Sequence, residues 1–115
     1  MAVTTKEQVI HLIEEHHQDL QRLGVHRCGL FGSFVRNAMT EQSDVDILVE
    51  FEPQQKTFNN FMDLCFFLEK ILGRNVDLVT RESLSPYIGP RILKEVEYIS
   101  ILPEKRFSCR LGETE

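Results

Sequence analysis

Three carboxylates and one hydroxyl carry the chemistry for which this chain is equipped. Asp44 and Asp46 stand two apart in DVDILVEF, so an extended strand projects both side chains from one face. Their β-carbons would lie roughly 6–7 Å apart. Two carboxylates at that separation repel unless a cation lies between them. Mg²⁺ suits the place, because it takes hard oxygen ligands and completes its shell with water and substrate phosphates. Asp77 lies in NVDLV between Val76 and Leu78, and where those two point to the core Asp77 points away from it. If the strand of Asp77 lies beside the strand of Asp44 and Asp46, three carboxylates meet on one face. That is the usual complement for two divalent ions, roughly 3.5–4 Å apart, acting on a phosphoryl group.

Upstream of the pair, Leu30-Phe31-Gly32-Ser33-Phe34 puts a glycine and a serine directly after an apolar run. A strand followed there by a helical turn exposes backbone N–H groups to an anion. Gly32 would let a phosphate come close to the backbone, Ser33 adds a hydroxyl donor, and Arg36 can offer its guanidinium to the same phosphates. Each element alone is commonplace. A Gly-Ser after a strand is most often a capped turn, and a D-x-D is most often a solvated strand face. The loop also lacks the G-x₄-G-K-[ST] of a P-loop. The conjunction of loop, carboxylate pair and third carboxylate is what points to a nucleoside triphosphate.

The elements that must position these residues are read from periodicity. Val9, Leu12, Ile13, His16 and Leu20 predict one helix over 5–22, capped by Thr4 or Thr5 and ended at Gly24. HRCGLF at 26–31 reads as a short strand. In 44–51, Val45, Ile47, Val49 and Phe51 make one face, and Asp44, Asp46, Leu48 and Glu50 make the other. Pro53 stops that strand. A second long helix is predicted from Thr57 to Leu72, with Phe58, Phe61, Met62, Cys65 and Leu72 as its core stripe. Leu64, Phe67 and Ile71 give it a second apolar face, which belongs either to a central core helix or to a dimer or partner surface. Strands at 75–79 and 97–101 and a short helix at 89–95 complete an alternating order. The alternation predicts an α/β (α+β) fold, one sheet flanked by helices. Residues 1–102 read as a single domain and 103–115 as a polar tail.

Composition narrows the class. A chain of 115 residues has room for one core, and no apolar run approaches the roughly 20 residues of a membrane span. The opening MAVTTKEQVI lacks the basic start and apolar stretch of a secretory signal. Cys28, Cys65 and Cys109 are too singly spaced for a disulfide framework or a zinc site. A cytoplasmic protein with no membrane partner is expected. The net charge of −5, from 18 acidic and 13 basic residues, argues against free nucleic acid as a partner. His11, His16 and His17 lack the i, i+4 spacing of a helical metal pair, and Tyr87 and Tyr98 are expected to pack rather than to stack on a base.

Gly32-Ser33, ten intervening residues and Asp44-Val45-Asp46 together resemble the signature of DNA polymerase β-type nucleotidyltransferases. The stretch GLFGSFVRNAMTEQSDVDILVEF is similar to the minimal nucleotidyltransferases of that superfamily, and the likeness spans about residues 7–101. The resemblance implies a mixed sheet with helices, Ser33 on the triphosphate, and Asp44 and Asp46 on both of two Mg²⁺ ions. Asp77 would bind the catalytic ion and help deprotonate the attacking hydroxyl. The resemblance further implies transfer of AMP from ATP onto a tyrosine of a HEPN-type toxin encoded nearby, with this chain as the antitoxin. Asn37, where many members carry glycine, is a mild departure, since Asn tolerates left-handed backbone. Two other readings stay open: an antitoxin that blocks its toxin by binding alone, and nucleotidyl transfer to a small molecule. Relatives of the second kind generally add a further domain, so the chain's brevity favours a macromolecular acceptor or a partner subunit, a homo-oligomer included.

Overall fold

The computed structural model describes residues 3–99. Four strands, β1 (Val25–Phe31), β2 (Val45–Phe51), β3 (Val76–Thr80) and β4 (Glu97–Ile99), form one sheet in the order β3-β2-β1-β4. β1 runs antiparallel to β2 and to β4, whereas β2 and β3 are parallel, so the sheet is mixed. The parallel pair requires a crossover, and α3 (Phe58–Leu72) supplies it between β2 and β3. Two helices precede the sheet, α1 (Lys6–Glu15) and α2 (His17–Arg22), and a short one, α4 (Gly89–Glu95), precedes β4.

Strand alternation divides the sheet into two faces. Leu30, Val45, Ile47, Val49 and Leu78 join Val9, Ile13, Leu20, Leu64, Leu68 and Leu72 in one core. Burying that many aliphatic side chains contributes roughly 1.5–3 kcal/mol for each, set against the entropy of ordering them. Phe31 and Leu48 are buried too, yet they lie outside that cluster, on the face that also bears Asp46. Among the described residues no helix is long and apolar enough to cross a membrane.

The N-terminal helix predicted as one is two. His16 separates α1 from α2 at φ −106° and ψ 25°. Its amide is shared between the carbonyls of Leu12 and Ile13 at 3.2 and 3.1 Å, which tightens the turn. Its ring donates from Nδ1 to the Leu12 carbonyl at 2.8 Å and meets Phe67 edge-on with centroids 5.6 Å apart. Thus His16 keeps its place on the apolar stripe while the helix breaks around it.

Helix α3 also departs from expectation, in its orientation. Thr57 caps it, accepting from the Asn60 amide at 3.1 Å, and Gly73 ends it at φ 70°. The core face, however, is Leu64, Leu68 and Leu72, flanked by Phe61, Cys65, Phe67 and Ile71, while Phe58 is 77% exposed. Leu64, Phe67 and Ile71, left open between a core face and a partner surface, therefore turn inward. A helix this rich in apolar residues admits either stripe by periodicity, and packing against α1 and β3 decides between them. Residues 100–101 of the expected last strand, the tail 103–115 and Cys109 lie outside the described residues.

One guanidinium organises the approach to β2. Arg74 donates from Nε to the Val3 carbonyl at 2.7 Å, and from Nη1 to those of Thr40, Glu41 and Ser43 at 3.0, 3.2 and 2.9 Å. The loop leading to Asp44 is thereby tied to the turn leading to Asp77.

The orientation of α3 is testable by paired truncations. Leu68→Ala is expected to cost about 2–5 kcal/mol, and Phe58→Ala no more than about 0.5 kcal/mol. Urea denaturation midpoints would measure both, and equal losses would restore the stripe through Phe58.

Candidate active site

The strand register assembles the site. On β2, Asp46 is paired with Phe31 of β1 on one side and with Asp77 of β3 on the other. Neighbouring strands are about 4.8 Å apart, so the two aspartates are adjacent on one face. Phe31 is the residue before Gly32, and the antiparallel register therefore delivers the serine loop directly beside Asp46. Asp44 precedes β2 by one residue and sits exposed at the same sheet edge, as does Asp77. This edge is where β1 ends and where β2 and β3 begin.

The loop itself is a single 3-10 turn, Gly32–Phe34, anchored by the fully buried Phe34 ring. Arg74 lies over that ring, 5.3 Å from its centroid. Gly32 stands at φ 79°, where an L side chain is strained, and a β-carbon there would collide with the carboxylate of Asp46. The room that glycine leaves is thus filled by the Asp46 carboxylate. The loop closes through Ala38, whose amide donates to the Ser33 carbonyl at 2.8 Å, with Asn37 left-handed at φ 57°. Ser33 is half-buried and Arg36 exposed.

Glu95, the last residue of α4, binds the loop from the far side. Its Oε2 accepts from the Gly32 amide at 2.8 Å and its Oε1 from Arg36 Nη1 at 2.6 Å. Burial pushes the Glu95 carboxyl up, but the Gly32 amide and the Arg36 guanidinium outweigh it and hold the group below the ordinary glutamate range. Spacing gave no signal for Glu95, which lies 63 residues from the glycine it binds. Arg74 was equally hidden, since its role exists only through folded contacts. Tyr87, expected to pack, is 91% exposed, and Tyr98 instead receives the Arg27 guanidinium 4.1 Å from its ring centroid.

Asp46 carries the electrostatic strain of the site. Burial first, then the charges of Asp77 and Asp44 and a hydrogen bond with Asp77, push its carboxyl up to about 6, while Arg36 pulls it down. Among the described residues no three His, Cys, Asp or Glu side chains are gathered around one point as a ready metal cluster. The three aspartates share an edge, and Asp77 and Asp44 both raise the carboxyl of Asp46. Their donor atoms are all carboxylate oxygens, which fits Mg²⁺ or a similarly hard cation. A divalent ion would also relieve the repulsion that raises Asp46.

Two cavities flank the carboxylates. One of about 340 Å³ is lined by Phe31, Gly32, Arg36, Asp46, Ile88, Arg91, Ile92 and Glu95. The other, of about 730 Å³, is lined by Glu41, Asp44, Glu69 and Arg74 among others. In the first, the guanidiniums of Arg36 and Arg91 are matched by the carboxylates of Asp46 and Glu95. In the second, Glu41, Asp44 and Glu69 outnumber Arg74, whose Nε and Nη1 already donate to backbone carbonyls.

Comparison with known proteins agrees with this geometry. Residues 13–99 match the nucleotidyltransferase domain family. The chain belongs to that family. This nucleotidyltransferase is 42% identical over 100 residues to the protein adenylyltransferase MntA of Thermococcus cleftensis, covering 86% of this chain and 100% of that protein. A candidate protein adenylyltransferase of Methanocaldococcus jannaschii is 37% identical over 98 residues, covering 83% and 98%. The solved structure of a candidate minimal nucleotidyltransferase superposes with a TM-score of 0.71 at 32% identity, covering 84% of this chain and 98% of that one. The crystal structure of a toxin-antitoxin with AMP-PNP shares the fold, with a TM-score of 0.59 at 21% identity and coverage of 83% and 72%.

The raised Asp46 pKa links pH to the stability of the metal-free nucleotidyltransferase. Because the folded value, about 6, lies above the ordinary 3.8, the folded state favours the protonated group. Its stabilising contribution is complete below the ordinary value and is lost as pH rises through about 6. Asp46→Asn, neutral throughout, is therefore expected to raise the thermal midpoint in chelator at about pH 8 and to change it little at about pH 4. An equal effect at both pH values would show that Asp46 is not strained.

Proposed function

We propose that this nucleotidyltransferase transfers AMP from ATP to a tyrosine hydroxyl of a HEPN-type toxin, and acts in the cytoplasm as that toxin's antitoxin. Two Mg²⁺ ions would be held by Asp44, Asp46 and Asp77. The observation that carries the reading is the register Phe31–Asp46–Asp77, which sets the carboxylates next to the Gly32-Ser33 loop and Arg36. A protein acceptor is supported by the MntA relative, named as a protein adenylyltransferase. A toxin partner and ATP are supported by the shared fold with a toxin-antitoxin solved with AMP-PNP, an ATP analogue.

The reaction forms a bond from the acceptor oxygen to the α-phosphorus, breaks the bond to the bridging oxygen of the β-phosphate, and releases pyrophosphate. The Ser33 hydroxyl and Arg36 bind the outer phosphates, and Arg91 adds positive charge to the same cavity. Asp44 and Asp46 would hold the ions at the edge, and the exposed Asp77 takes the proton of the acceptor hydroxyl. Bound metal would supply neutralisation of the triphosphate and a lower pKa for the acceptor. The protein's contribution is position and electrostatics, so each aspartate carries a large share of the rate.

Incubation with α-³²P-ATP, Mg²⁺ and the protein encoded by the adjacent gene tests this. Label is expected on a tyrosine of the partner, with Asp46→Asn and Asp77→Asn each slowing transfer by about 10²-fold or more. Rates within a few-fold of wild type would sink the assignment of these carboxylates. A tight complex without label would favour an antitoxin that works by binding alone.

A further inference from the structure

We propose that Glu95 is a positioning residue for the triphosphate, acting on the nucleotide through Arg36 and the serine loop. The inference rests on the nucleotidyl-transfer reading and adds a residue to it. Both carboxylate oxygens are engaged, one by the Gly32 amide at 2.8 Å and one by Arg36 Nη1 at 2.6 Å. The Glu95 side chain is only 18% exposed, whereas that of Arg36 is 52% exposed. A guanidinium has five N–H donors in a rigid plane, so holding one arm leaves the others oriented toward solvent and ligand. Here the held plane lines the cavity beside Asp46, and its charge already reaches that carboxylate.

A carboxylate at a phosphate site can also be a stand-in that the ligand displaces. The backbone around Glu95 argues for a fixed support instead. The next residue, Val96, fills the space that a β-carbon on Gly29 of β1 would need. Glu97 then pairs with Leu30 in the sheet and with Lys6 of α1 through a 3.1 Å ion pair. Glu95 thus stands two residues before β4, which is paired with the strand that leads into the serine loop. Its contact with the Gly32 amide sets the peptide that starts the turn, leaving the Ser33 hydroxyl and the free arms of Arg36 for phosphate. Without Glu95, Arg36 would have to be ordered by the ligand itself, which weakens binding.

The test is a calorimetric titration of the full chain with AMP-PNP and Mg²⁺, using wild type, Glu95→Gln, Arg36→Ala and the double variant, each with its thermal midpoint recorded. Glu95→Gln is expected to weaken binding roughly tenfold, and Arg36→Ala at least as much. In the Arg36→Ala background the Glu95→Gln change should cost less than about twofold, because the residue through which it acts is gone. Affinity unchanged or tightened in Glu95→Gln would overturn the proposal, tightening being the mark of a displaced competitor. Additive losses in the double variant would overturn it as well, as would a lowered midpoint with wild-type affinity. If Glu95→Gln does not fold, Arg36→Lys replaces it, since the ammonium keeps the charge and loses the held plane. The same tenfold weakening is then expected, and affinity within about twofold of wild type would count against the proposal. Failure of the wild-type chain to bind AMP-PNP would overturn the nucleotidyl-transfer reading itself, and this inference with it.

Discussion

The working edge of the sheet depends on holding the charge of Asp46 where water only partly reaches it. That carboxylate is flanked by Asp77 on the next strand, has Asp44 two residues before it, and presses against the bare backbone of Gly32. Nothing in a folding chain favours such an arrangement for its own sake. It persists because the residues alternating with it, Val45, Ile47 and Val49, are fully buried and hold β2 in register. A slip of one position would send these three to the open face and the carboxylates into the core. Hydrophobic burial on one face of the strand thus enforces electrostatic repulsion on the other.

Charged ties on either side keep the intervening chain in place. Residues 32–44 connect β1 to β2 and include little regular structure beyond the turn at Gly32–Phe34. Arg74 grips the end of this segment through the carbonyls of Thr40, Glu41 and Ser43. Glu95 grips its beginning through Gly32 and Arg36. Each tie satisfies backbone groups that an irregular segment would otherwise leave to water. The Ser33 hydroxyl and Arg36 are therefore presented from a loop tied at both ends, which is what phosphoryl chemistry asks of its positioning groups.

The distribution of charge matters more here than its total. The chain carries a net −5, yet the cavity beside Asp46 is lined by Arg36 and Arg91. Guanidiniums set among the carboxylates of Asp46 and Glu95 suit a ligand that is itself a polyanion accompanied by divalent cations. The resemblance in sequence and in fold to nucleotidyltransferases fits that local pattern, which the overall acidity conceals.

Much of this was legible in the order of residues. Strand alternation placed Asp46 opposite its apolar neighbours, and the Val76-Asp77-Leu78 pattern did the same for β3, because a period of two leaves little choice once one face is buried. Gly73 and Thr57 marked the ends of α3 by backbone chemistry that is local. What local pattern left undetermined was anything chosen among equivalents or joined across the fold. Helix α3 had apolar residues on most sides, so its inward face was settled by the shape of its neighbours. His16 satisfied helical periodicity and still interrupted the helix, since its side chain and amide turn back on carbonyls of the preceding turn. The pairing of Asp46 with Asp77, the pinning of the loop by Arg74 and the grip of Glu95 on Gly32 and Arg36 all depend on strands and helices meeting. The sequence by itself determined which groups can do the chemistry and which face they take. Only the tertiary structure decided how they are brought together and held, because distance in space between remote residues is set by packing and register.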